Sequence, residues 1–153
     1  MSLSESFAVV SFTLFSFADL RYRLVPGIVL FFLGTILLTL PIAPIQAGII
    51  LLACGWGLLC NTPDWLALPL FFYLPAWPVL LTGYGYRKGI IGRADVFAIA
   101  GLACLFPLPA ILLAFLGLEV WRRIWIRRQV GAVPVLPGLL LGILIYVTLR
   151  VTV

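Results

Sequence analysis

The sequence predicts an all-α fold: a polytopic transmembrane helix bundle of about six spans, with room for one re-entrant or interfacial segment. Three observations lead there. Of 153 residues, 64% are apolar and only 10% charged, whereas a soluble domain runs nearer half and a quarter. Mean hydropathy is +1.24. The apolar runs are continuous and lack the alternation of strands, so helices are expected instead of a closed barrel. Residues 1–153 should form a single transmembrane domain, with no room for a second.

The first span is expected over Glu5 to Leu20. The stretch before Asp19 has no basic start, and Asp19, Arg21 and Arg23 follow where small residues should precede a cleavage site. It therefore reads as a retained helix and not as a secretory signal. Val25-Pro26-Gly27 breaks it, and a second helix runs from Gly27 to Ile42. Pro41 and Pro44 mark a turn before a third run, Ala47 to Cys60, which is short for a span. Asn61-Thr62-Pro63-Asp64 interrupts the apolar character. Trp65 to Thr82 restores it but carries Pro69, Pro75 and Pro78, which predict kinked or irregular backbone. A polar, glycine-rich loop follows from Gly83 to Arg93. Helices are then expected over Ala94–Phe106 and Ala110–Ile126, with a last one opened by Pro134 and Pro137 and reaching Arg150.

The basic residues cluster as Arg21/Arg23, Arg87/Lys88/Arg93 and Arg122/Arg123/Arg127/Arg128. The positive-inside rule puts all three clusters on the cytoplasmic face of the membrane, the chain passing through it several times. Three apolar runs separate the first two clusters, an odd number. Ala47 to Thr82 is therefore expected to make one net crossing, with one run broken, re-entrant or interfacial. Trp121 to Arg128 reads as an interfacial anchor on the lipid bilayer, aromatic rings at headgroup depth and arginines among the phosphates.

The net charge of +5 is carried by those short clusters and implies no nucleic-acid partner. There is no histidine, and Cys54, Cys60 and Cys104 have no metal-type spacing. No metal, cofactor or disulfide framework is expected. The sequence carries no signal for an oligomeric state.

Acid–base chemistry then falls mainly to carboxylates. The acids are Glu5, Asp19, Asp64, Asp95 and Glu119. Asp19 ends one apolar helix and Asp95 begins another, each beside a basic cluster. Two carboxylates brought together share a proton, so one can activate water while the other protonates a carbonyl. Position alone favours plainer roles: Asp19 paired with Arg21 or Arg23, Asp95 paired with Arg93 or Lys88, or Asp95 as a helix cap.

Local motifs shift the balance. Asp19-Leu20-Arg21-Tyr22-Arg23-Leu24-Val25-Pro26 resembles the first catalytic motif of the type IV prepilin peptidases. Gly92-Arg93-Ala94-Asp95 resembles their Gly-x-Gly-Asp motif, and is nearer still to the Gly-Gly-Ala-Asp form of archaeal preflagellin peptidases. Ala98 to Pro107 looks like the helix after that motif. Val133-Pro134-Val135-Leu136-Pro137, with Gly142 beyond, is similar to the opening of the family's last helix. Ala94 stands at the second motif glycine, Phe97 at the usual lysine and Gly27 at the usual Asn or Asp.

The resemblance implies a membrane-embedded aspartyl peptidase of a prokaryotic cytoplasmic (inner) membrane that removes basic leader peptides from type IV pilin-like or archaellin-like precursors at the cytoplasmic face. Asp19 and Asp95 would be the catalytic pair. Gly92, Arg93 and Ala94 would lie along the substrate, Gly92 letting its backbone approach. No cysteine-rich segment is present, so no methyltransferase activity is implied. The competing expectation is a catalytically inactive homologue serving as a structural membrane subunit. A serine–lysine peptidase using Lys88 finds no recognisable serine site, and a transporter finds no internal repeat.

Overall fold

The computed structural model describes residues 3–22, 27–59, 61–128 and 133–152. Its elements are all helical: α1 (Leu3–Tyr22), α2 (Ile28–Thr39), α3 (Pro44–Leu58), two 3-10 stretches (Asp64–Phe72 and Leu74–Ala76), α4 (Trp77–Arg87), α5 (Arg93–Leu105), α6 (Leu108–Arg128) and α7 (Leu136–Thr152). Arg23, Leu24, Val25, Pro26 and Cys60 of the sequence reading lie outside the described residues, as does the Arg128 side chain.

Most helices fall where the apolar runs predict them, except that α4 runs regularly from Trp77, with Pro78 in its first turn, through Gly83 to Arg87, inside the stretch expected as a loop; the transmembrane bundle must also be corrected. Among the described residues no helix is long and apolar enough to cross a membrane. The multi-pass placement in a cytoplasmic membrane, the crossing assigned to Ala47–Thr82 and the cytoplasmic orientation of the site fall with it. Length and charge explain the correction. The most apolar helices, α2 and α3, have 12 and 15 residues, about 18 and 22 Å at 1.5 Å per residue, against a hydrocarbon core of about 30 Å. The two longest, α1 and α6, carry charge instead: Glu5, Asp19 and Arg21 on α1, and Glu119 with four arginines on α6.

The chain divides into two compact units, Ile28–Leu108 and the remainder, Met1–Gly27 with Pro109–Val153. In the unit Ile28–Leu108, α5 is the central helix and packs against α2, α3 and α4. Val96 and every residue from Ala98 to Cys104 are buried, as expected of a helix apolar all round. Helix α2 turns Ile28, Phe31, Phe32, Thr35 and Thr39 inward at helical spacing and leaves Leu30, Leu33 and Leu37 exposed. The Phe31 ring sits over Gly101, where any side chain would collide with it. Helices α3 and α4 meet at Gly57 and Gly83, so close that a Cβ on either would lie within 2.7 Å of the other's Cα.

Pro44 opens α3, a position where its missing N–H costs nothing. Pro69 and Pro75 stand inside the two 3-10 stretches, the irregular backbone that their fixed φ and lost donors predict. Arg87, at the end of α4, ties this segment down. Its Nη1 lies 3.2 Å from Asp64 Oδ1, its Nη2 donates to the Thr62 carbonyl at 2.6 Å, and its guanidinium sits 4.7 Å from the Trp56 ring centroid.

In the other unit, α1 and α7 pack side by side. Glu5 near the start of α1 pairs with Arg150 near the end of α7. Asp19 near the end of α1 accepts the Leu136 N–H at the start of α7. The two clasps lie at opposite ends, so the helices run antiparallel. Helices α6 and α7 approach through Gly117, Gly138 and Gly142; a Cβ on Gly138 would fall 2.7 Å from Leu118 Cα. Near the end of α6, Trp121 and Trp125 stack 5.8 Å apart.

Candidate active site

The four residues of the second motif share the start of α5. Helix α4 ends by left-handed closure: Gly89 has φ +71°, its N–H donates to the Tyr86 carbonyl at 2.9 Å, and the Ile90 N–H reaches back to the Gly85 carbonyl at 2.9 Å. This reversal, for which glycine avoids the Cβ clash, delivers the chain to Gly92 as the residue before α5.

Gly92 has extended backbone, φ −79° and ψ 157°. Asp95, in the first turn, turns its carboxylate back so that Oδ2 accepts the Gly92 N–H at 3.0 Å. Only this half of a capping box exists, because Gly92 has no side-chain acceptor to return the bond. A Cβ on Gly92 would sit 3.2 Å from Asp95 Oδ2, so the glycine leaves room for the carboxylate. The first turn also suits an anion, since the helix dipole presents unpaired N–H groups there.

Arg93 is exposed and directed to Tyr86, on the last turn of α4. Its Nη2 and Nε donate to the Tyr86 hydroxyl at 3.2 and 3.4 Å. The hydroxyl thus anchors a guanidinium that the sequence places two residues from Asp95. Ala94 and Asp95 are half-buried. The cap anticipated as a plain role for Asp95 is therefore present.

Asp19 belongs to the other unit and is also half-buried. Its Oδ2 accepts the Leu136 N–H at 3.3 Å. Leu136 begins α7, so this carboxylate too lies at a helix start with orphan donors. Sequence reading anticipated neither this contact nor Tyr86. Gly92, Arg93, Ala94 and Asp95 are thus brought together on one turn, while Asp19 is positioned by α1 and α7.

Other ionisable groups have local roles. Glu119 accepts from Arg122 at 2.7 and 2.8 Å and from Arg123 at 2.8 Å. These bonds, Arg122 first, hold its carboxyl down to about 2. Burial drives the Cys54 thiol up to about 12, with a smaller push from Cys104. It drives Cys104 to about 11 against a hydrogen bond with Thr35. Both are neutral, poorly nucleophilic thiols. Among the described residues no group of three or more His, Cys, Asp or Glu side chains could hold a metal ion.

No protein-family model, no curated protein and no solved structure matches this chain.

Proposed function

We propose that the chain is an aspartic peptidase whose chemistry is carried by Asp19 and Asp95, acting on the leader peptides of pilin-like or archaellin-like precursors. One observation carries the reading beyond the motifs. Each aspartate is half-buried, and each accepts a backbone N–H on Oδ2 at a helix start, an arrangement suited to a carboxylate that must keep a fixed direction. In the reaction one carboxylate takes a proton from water as its oxygen bonds to the scissile carbonyl carbon, and the other protonates the carbonyl oxygen. The C–N bond then breaks as the first carboxyl gives its proton to the departing nitrogen and the second recovers one from a hydroxyl of the adduct, restoring both. Gly92, Arg93 and Ala94 would lie along the substrate backbone.

Asparagine keeps the acceptor that meets each backbone N–H and removes the titrating group. Purified protein incubated with a pilin-like precursor should release the leader, and Asp19→Asn and Asp95→Asn should each abolish release while unfolding at the wild-type temperature. Release unchanged in both variants sinks the peptidase reading. The same two contacts favour a second reading, an inactive structural subunit in which the aspartates only cap helices. It predicts no release by the wild-type protein, and loss of partner assembly only on replacement by alanine.

A further inference from the structure

Between the 3-10 stretch Asp64–Phe72 and α4 lies an open groove of about 370 Å³, within the range of about 300–1,000 Å³ usual for small-molecule sites. Its walls include Trp56, Ala67, Phe71, Leu80, Leu81 and Tyr84, with Asp64 as the one acid among the lining residues. Ala67 and Leu80 are almost fully buried, whereas Phe71 and Tyr84 are substantially exposed, so an occupant would meet a closed apolar floor between aromatic rims.

The rims also carry charge. Arg87 stacks on Trp56 and neutralises Asp64 across 3.2 Å. The Lys88 ammonium lies 5.4 Å from the Tyr84 ring centroid. The Arg87–Asp64 pair contributes no net charge, so Lys88 leaves the rim positive, next to an apolar trough.

The geometry points to a binding site for a single-chain anionic amphiphile, its tail in the groove along Phe71 and Leu80 and its head at Lys88. The occupant is a fatty acid, whose single chain and single carboxylate match one apolar trough and one lysine. The site does not depend on the peptidase reading, since it uses neither Asp19 nor Asp95.

Isothermal titration of the whole chain with dodecanoate, below its micelle concentration, should show saturable binding. Dodecyl phosphate tests the other source of an anionic head, and binding tighter than that of dodecanoate overturns the fatty-acid assignment. Inorganic phosphate alone should bind at least about tenfold more weakly, because it forgoes apolar burial. Dodecyltrimethylammonium should also be weaker. Lys88→Glu should weaken dodecanoate about fivefold, in the range of an exposed charge pair. Leu81→Asp places a charge on the exposed groove wall and should weaken both anionic amphiphiles by at least about tenfold, with helical melting confirming an intact fold. The proposal is overturned if dodecanoate gives no saturable binding, if the cationic amphiphile binds equally well, or if both variants bind like wild type.

Discussion

Asp19 accepts the backbone N–H of Leu136 across 117 residues of sequence, so the carboxylate that ends α1 also secures the first turn of α7. The two replacements of Asp19 should separate accordingly. Asp19→Ala loses the acceptor and should destabilise by about 1 kcal/mol, the usual worth of a helix-start contact. Asp19→Asn keeps an acceptor and should unfold within a few degrees of wild type. Chemical denaturation of both measures the difference; equal losses would show that charge, and not the hydrogen bond, holds α7.

Gly92→Ala places a Cβ 3.2 Å from Asp95 Oδ2, tighter than ordinary van der Waals contact, so the carboxylate must shift. On the proposed peptidase chemistry, leader release should then fall at least about tenfold, since small displacements of a reacting group are costly. Gly48→Ala is the control. Nothing lies within 4 Å of a Cβ there and the residue is inside α3, so stability should rise by about 0.5–1 kcal/mol with release unchanged.

Cys54 and Cys104 should be silent to an aromatic disulfide reagent at pH 8 in a Cys60→Ser background, and both should react once the chain is unfolded. Their folded pKa values, about 12 and 11, lie above the ordinary 9.0. Above pH 9 the unfolded chain therefore holds fewer thiol protons than the folded one, and stability falls as pH rises. Reaction of the folded protein at the rate of a free thiol would contradict this burial.

Glu119 gives the opposite slope. Its folded pKa of about 2 lies below the ordinary 4.5, so its contribution is complete above about pH 4.5 and is lost as pH falls toward 2. The side chain is 38% exposed, and its bonds to Arg122 and Arg123 should weaken in salt. A carbon-detected NMR titration should show the carboxyl moving back toward 4.5 in Arg122→Ala, and less so in Arg123→Ala, because Arg122 makes two of the three bonds.

Helices were legible in the sequence because continuous apolar runs punctuated by proline have few other solutions. Pro69 and Pro75 foretold the irregular backbone after Asp64, and the proline rule also explains why α3 begins at Pro44. The environment of those helices was not legible. Hydropathy counts apolar side chains without saying what covers them, and the α5 residues that read as a span are buried against α2, α3 and α4. Helix length, set by turns and caps, decides the matter, and α2 at 12 residues is too short.

The candidate site was legible where it is local. Gly92 to Asp95 are neighbours in sequence and remain so on one helical turn. The Tyr86–Arg93 contact spans only seven residues but depends on the left-handed Gly89, which no apolar pattern announces. The Asp19–Leu136 bond had no local signal at all, because the packing of α1 on α7 creates it.

Helix α5 has no free face along most of its length, and Asp95 stands on its first turn. The carboxylate therefore inherits its position from the most constrained element of its unit, not from a loop that can swing. Local opening here would require parting α2, α3 and α4 together, which places the amides from Ile99 to Cys104 among the slowest to exchange with heavy water. Any adjustment of this first turn must then come through the segment Lys88–Ile91 ahead of it, which leaves the carboxylate as the still point of its unit.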